Sequence, residues 1–322
     1  MRAWFPTDQS CLEYLEWMRW GNGFICPWCH GTEYWVIADG RRKCQDCDRT
    51  ISVTSNTIFE RTRVPLTVWF EAAWLFIASK NGVSATTLHN LLPINTYQTA
   101  WTMLSKFRYA ISSTPKRKLE GVVEVDEWMQ GGVRKGVKGR GVGKNIVLAA
   151  VEKRPGGRVR FAVAPNTKTS TLGKFIKDNV VPGSKVITDA WVAYPKATGG
   201  YTHVAHNEAR SELEAHELLP AVHRVFSLAD RLLLGTYQGS IRKEHLQEYL
   251  DEFAFRYNRR NSNDRGLLFY RLMEHAIKSD TVTYPELVKI GGKKTVKPTP
   301  PPKHRSKPGS LDVDAIIRPW LD

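Results

Sequence analysis

Gly121-Val-Val-Glu-Val-Asp126 is the point where helical periodicity gives way to strand, and it ends on a carboxylate. A glycine-rich basic loop follows, then a second strand, Asn145-Ile-Val-Leu-Ala-Ala-Val151. Pro155-Gly156-Gly157 turns the chain into a third, Arg158-Val-Arg-Phe-Ala-Val163. Thr169 to Val180 reads as a helix with Leu172, Phe175 and Ile176 on one face. Lys185-Val-Ile-Thr188 is a fourth strand that ends on Asp189, and Tyr201-Thr-His-Val-Ala205 is a fifth. A long helix then runs from about Leu218 to Leu234.

Three strands, helix, strand, helix, strand, helix is the element order of an α/β RNase H-like core with a mixed five-stranded sheet. In that arrangement Asp126 and Asp189 come together at adjacent strand positions. Two such carboxylates can share a pair of Mg2+ ions, which activate a water or 3′-hydroxyl at a phosphodiester and stabilise the leaving oxygen. Repulsion between the carboxylates makes the cation part of the folded site. A single Asp at a strand end is ordinarily a turn or cap residue; joint placement in the element order sets these two apart.

Upstream, Cys26-Pro-Trp-Cys29 and Cys44-Gln-Asp-Cys47 are separated by fourteen residues. Two C-x2-C knuckles on short hairpins supply four thiolates to tetrahedral zinc with little backbone strain. Strand-like Tyr34-Trp-Val-Ile37 and Thr50-Ile-Ser-Val53 follow the knuckles, as in a zinc ribbon. All four ligands are protein, so this Zn2+ is structural. Cys11 lies outside the pattern and reads as core, and His30 is a poor fifth ligand. Beyond the ribbon, Pro65 to Lys80 is an amphipathic helix with Pro at its start. Ser84 and Thr96 are N-caps of two further helices joined by a turn at Pro93 to Asn95. Short helix, tight turn and second helix form a helix-turn-helix layout, with Lys106 and Arg108 on the helix directed at DNA.

The 322 residues allow two or three domains. An excess of 47 Lys and Arg over 32 Asp and Glu, a net +15, points to a polyanionic partner. With 42% hydrophobic residues, wholesale disorder is excluded. The N-terminus has no apolar signal core, and the most apolar stretch, Val68 to Ala78, is interrupted by Glu71 and too short to span a bilayer. The expectation is a cytoplasmic, nucleoid-associated protein with no membrane partner.

Gly121-Val-Val-Glu-Val-Asp-Glu-Trp128, Ile187-Thr-Asp-Ala-Trp-Val-Ala-Tyr194 and the run Glu244 to Arg260 resemble bacterial insertion-sequence transposases of the DDE type that carry an N-terminal zinc ribbon. The resemblance spans about residues 10 to 275. It implies metal-dependent strand cleavage at the insertion-sequence ends, strand transfer into target DNA, double-stranded DNA as partner and a homo-oligomer on paired ends. Asp126 and Asp189 fall on the group's first two metal-binding aspartates. The group places Glu or Asn at the third position and Lys seven residues later; here the matching helix offers His223 and Asp230. His223 is the favoured third residue, with Asp230, Glu212, Glu214 and Glu217 as alternatives. Neutral imidazole coordinates Mn2+ but is a poor partner for Mg2+.

Arg134, Lys135, Lys138, Arg140 and Lys144 make the loop after Asp126 a cationic hairpin suited to holding a DNA backbone. The expected division is a zinc ribbon over 1–60, a helix-turn-helix segment over 61–115, a catalytic core over 116–280 and a disordered basic, Pro-rich tail over 281–322. The departures at 223 and 230 keep open a catalytically silent DNA-binding derivative, and the core alone another RNase H-like nuclease.

Overall fold

A computed structural model describes residues 1–38, 40–131, 144–207, 211, 214–239 and 241–289. The hairpin cations Arg134, Lys135, Lys138 and Arg140, the alternative ligand Glu212 and the tail from 290 lie outside the described residues. In chain order the first elements are α1 (Asp8–Trp20), β1 (Tyr34–Val36), β2 (Arg42–Cys44), β3 (Thr50–Ile51), α2 (Leu66–Ala78), α3 (Ala85–Leu91) and α4 (Tyr97–Ser113). Then come β4 (Val122–Gln130), β5 (Asn145–Glu152), β6 (Val159–Ala164), α5 (Thr169–Asn179), β7 (Lys185–Asp189), α6 (Tyr194–Ala197) and β8 (Thr202–His206). The last are α7 (Ala215–Leu218), α8 (Pro220–Gly235), α9 (Leu246–Tyr257), α10 (Arg265–Lys278) and α11 (Tyr284–Lys289). The chain divides into two compact units, Met1–Thr114 with Ser262–Asp322, and Pro115–Asn261.

In the first unit, β1, β2 and β3 form a small antiparallel sheet that carries the cysteine knuckles. Arg42 holds it to α1: its guanidinium lies 3.9 Å from the Trp20 ring and 4.7 Å from Tyr34, and it pairs with Glu16. Helix α1 starts on Thr7, whose hydroxyl accepts the Ser10 N–H, and buries Cys11 and Leu15. Ser84 and Thr96 cap α3 and α4 as expected, accepting from the Thr87 and Thr99 N–H groups.

Three expectations are corrected in this unit. Lys106 and Arg108 do not face solvent. Helix α4 buries Met103, Leu104, Phe107 and Ile111 around them, and the two cations are only 8% and 1% exposed. The Lys106 ammonium donates to the Ile58 carbonyl at 2.6 Å, and burial lowers its pKa. Residues 262–280 were assigned to the catalytic core, yet α10 packs on α1, α2 and α4. Its Phe269 ring meets Phe70 at 5.5 Å within a cluster that includes Phe5 and Tyr14. The start of the expected tail is also ordered: α11 buries Leu287 and sets Tyr284 edge-on to Trp101 at 5.9 Å.

The second unit is a five-stranded sheet in the order β6-β5-β4-β7-β8. The pairs β6/β5 and β5/β4 are antiparallel, and β4/β7 and β7/β8 are parallel. Strand alternation gives it two apolar faces. Val123, Val125 and Val186 pack with Leu172, Phe175 and Ile176 of α5, and with Tyr194 of α6. On the other face Ala149, Phe161 and Ile187 pack with Val222, Val225 and Phe226 of α8 and Leu250 and Phe253 of α9. Each side is therefore covered by helix.

Candidate active site

The parallel pairing of β4 with β7 runs Val122 to Lys185, Val123 to Val186 and Glu124 to Ile187. The last pair of that ladder is Glu124 with Ile187, and Asp126 and Asp189 each lie two residues beyond it on β4 and β7. Ile187 belongs to the α8 face, and Asp189 shares that face by alternation. Asp126 shares a face with Glu124, which reaches α8 directly: Glu124 Oε2 accepts the backbone N–H groups of Ala221 at 2.8 Å and Val222 at 3.0 Å. These are among the first N–H groups of α8, which have no partner within the helix. Glu124 thus fixes the start of the helix that carries His223. Its other oxygen pairs with Lys153 at 3.2 Å.

His223 Nε2 lies 3.4 Å from Asp126 Oδ2, while Asp126 Oδ1 accepts the Glu127 N–H at 2.7 Å. Asp189 Oδ1 accepts the Trp191 N–H at 3.1 Å. On the reverse face the buried Tyr194 hydroxyl donates to Glu127 Oε2 at 2.8 Å. Burial, then the negative charges of Glu127, Asp126 and Asp189, hold the Tyr194 phenol well above its ordinary pKa. One ring therefore senses three carboxylates. Next to it Thr188 Oγ1 and His203 Nε2 are 2.9 Å apart, and burial lowers the His203 pKa.

Of the residues expected at the site, Asp126 and His223 are in contact and Asp189 ends the adjacent strand β7. Asp230, seven residues along α8 from His223, is about 10 Å further down the helix axis. Glu214 and Glu217 are exposed, and Glu214 pairs with His216 at 3.2 Å. Lys144, the described cation of the hairpin, is half-buried at the start of β5. Sequence reasoning missed Glu124, Glu127 and Tyr194. The signal for Glu124 was present: a carboxylate on the same face of a strand as Asp126, inside an apolar run, needs a buried donor.

The cysteines meet a stricter geometric test. Sγ atoms of Cys26, Cys29, Cys44 and Cys47 all lie within 4.8 Å of one another, with Cys26 to Cys47 at 3.7 Å and Cys29 to Cys44 at 3.5 Å. Tetrahedral zinc–thiolate bonds of ~2.3 Å separate sulfurs by roughly 3.8 Å, so the set fits zinc. Among the described residues no other group of three or more metal-ligating side chains converges this closely. Also among them, no helix is long and apolar enough to cross a membrane.

Residues 6–50 match the transposase zinc-ribbon domain and residues 118–258 the ISXO2-like transposase domain. An uncharacterized protein in transposable element ISH50 of Halobacterium salinarum is 33% identical over 142 residues, covering 42% of this chain and 45% of that protein. The chain thus spans less than half the length of that relative. A transposase-like protein of Haemophilus influenzae is 30% identical over 102 residues, 31% of this chain and 81% of its own length. One solved structure, the simian T-cell lymphotropic virus intasome in complex with PP2A regulatory subunit B56 gamma, aligns over 73% of this chain and 78% of its own. Its identity of 14% and TM-score of 0.27 are too low to bear on the fold. With both its knuckles and its mixed sheet inside matched domains, the chain belongs to the ISXO2-like transposase family.

Proposed function

We propose that the chain is an active DNA transposase with an RNase H-like catalytic core, cutting DNA at insertion-sequence ends and joining them to target DNA. The observation that carries the reading is that Asp126 and Asp189 each lie two residues beyond the paired Glu124 and Ile187, on adjacent parallel strands of the β6-β5-β4-β7-β8 sheet. Two carboxylates on one sheet face and a helix-borne imidazole 3.4 Å from Asp126 would make a site for a phosphodiester. Asp126 and Asp189 would hold Mg2+ or Mn2+, with His223 as third residue; when bound, such ions supply Lewis-acid activation of the attacking oxygen and charge neutralisation at the leaving one. Oxygens of bound DNA would complete such a site, whose protein ligands are fewer and less tightly converged than the cysteine cluster. In cleavage a water oxygen bonds to phosphorus, the P–O3′ bond breaks and the 3′ oxygen takes a proton. In joining, that 3′-hydroxyl is the nucleophile and a target-strand 3′ oxygen leaves.

Helices α3 and α4 with their tight turn support a helix-turn-helix, which presents the exposed Tyr97 and Gln98 to the major groove. Arg224 and Arg231 on the exposed side of α8 supply backbone contacts, and the hairpin cations add to them. The same reading includes a homo-oligomer on paired ends and association with the nucleoid. The test is a strand-transfer assay on the element's own ends with Mg2+ or Mn2+. Cleavage and joining that vanish in Asp126→Asn and Asp189→Asn support the reading. End binding without cleavage identifies a silent derivative, and cleavage without joining another nuclease.

A further inference from the structure

Between Asp189 and α6 the chain makes a turn that is fixed at both ends and bare in the middle. At one end the Trp191 N–H donates to Asp189 Oδ1 at 3.1 Å. At the other the Tyr194 N–H donates to the Trp191 carbonyl at 3.0 Å, and Ala193 and Tyr194 are buried. Between these anchors Trp191 is 40% exposed and Val192 79%. Among the described residues no aromatic ring or cation stacks on the Trp191 indole. Elsewhere most of the large aromatic side chains pack: Trp20, Trp69, Trp74, Trp101 and Trp128 all meet other rings. An indole left partly exposed on a hydrogen-bonded turn, two residues from a candidate catalytic carboxylate, is not there to build the core.

We propose that Trp191, flanked by Val192, is a stacking platform for a nucleobase of the DNA strand whose phosphate lies at Asp126 and Asp189. The inference rests on the transposase reading and names a subsite of the same centre. Two residues of chain reach at most ~7 Å, so the indole stands about one nucleotide from the carboxylate that its own backbone orients. The chain's net charge of +15 favours a polyanion over an apolar protein partner. Every base presents a π-face, so such a contact is indifferent to sequence, and its use is to hold an unpaired or flipped base beside the cut. Base–aromatic stacking of ~1–3 kcal/mol corresponds to roughly five- to 150-fold in affinity.

The test uses the full chain and a forked DNA duplex with 2-aminopurine at the first unpaired position, compared with a fully paired duplex. Wild type and Trp191→Phe are expected to change the 2-aminopurine emission on binding and to favour the fork. Trp191→Ala is expected to lose the change and roughly ten-fold in fork affinity, with paired-duplex binding and circular dichroism unchanged. Asp189→Asn, which removes cleavage, is expected to keep the emission change, so loss of catalysis and loss of stacking are read separately. An unchanged response in Trp191→Ala overturns the proposal while leaving the transposase reading intact. A loss of self-association in Trp191→Ala with normal emission also overturns it, in favour of a contact between copies.

Discussion

Glu124 and Val222 are joined by a 3.0 Å hydrogen bond from the first turn of α8 to a carboxylate with no solvent exposure. Ala221 makes a second such bond at 2.8 Å. The strand that carries Asp126 therefore also sets the helix that carries His223. Glu124→Ala strands two backbone donors in a buried place, which costs on the order of 2–4 kcal/mol. Glu124→Gln keeps an acceptor oxygen and is expected to lose about half as much. Urea midpoints check the order; equal stability of Glu124→Ala and wild type would exclude this linkage.

His223 stands 3.4 Å from Asp126, so His223→Ala is expected to abolish cleavage while leaving DNA binding and the thermal midpoint near wild type. An imidazole ligand favours Mn2+ over Mg2+. Wild type should accordingly cleave faster in Mn2+, and His223→Glu should shift the preference toward Mg2+. Near-normal turnover by His223→Ala removes it from the site.

How much of this was legible in the sequence differs by element. The five core strands, α5 and α8 could be read because their apolar residues follow one period each and end at glycine or proline turns. The cysteine knuckles could be read because spacing alone constrains a tetrahedral site. Strand β2 was missed because Arg42-Lys-Cys44 is short and cationic; what holds it is Arg42 stacked on Trp20, from another element. Lys106 and Arg108 were misread because polarity suggested exposure, whereas their stems run through the part of α4, Met103 to Ile111, where every residue is buried. The move of residues 262–280 to the first unit was invisible for a related reason: Phe269 marks α10 as amphipathic but does not say which unit receives it.

Zinc removal should act on the ribbon. The four sulfurs have the spacing of a zinc–thiolate tetrahedron, and structural zinc contributes about 10–16 kcal/mol of apparent binding free energy in small fingers at neutral pH. One zinc per chain is expected by atomic absorption, with Cys44→Ser reducing it sharply. Strong chelators should change the emission of Trp20, Trp28 and Trp35. Full retention of zinc by Cys44→Ser would disprove the ligand set.

Glu152 makes an acid-dependent contribution to the second unit. Burial pushes its carboxyl up, but hydrogen bonds from Arg158, Arg154 and the Glu120 N–H outweigh burial and bring the pKa down from 4.5 to about 2. A depressed folded-state pKa stabilises above the unfolded value and loses that stabilisation as pH falls through the folded one. The loss is thus expected between roughly pH 4.5 and pH 2, on the order of 2 kcal/mol. Denaturation midpoints of Glu152→Gln should be lower than wild type at pH 7 and fall less steeply across that window.

Exposed and buried cations should separate in salt titrations. Arg224 and Arg231 lie on the exposed side of α8, one helical stripe that begins next to His223, and neither is ion-paired with an acid among the described residues. If they hold phosphates, Arg224→Ala and Arg231→Ala each lower the slope of log affinity against log salt by roughly 1. Lys106 has its ammonium on the Ile58 carbonyl inside the first unit. Lys106→Met is therefore expected to leave that slope unchanged and to alter stability by about 1–2 kcal/mol through the orphaned carbonyl. A reduced slope in Lys106→Met, with none in the two arginine variants, would reverse the assignment and return a phosphate contact to Lys106.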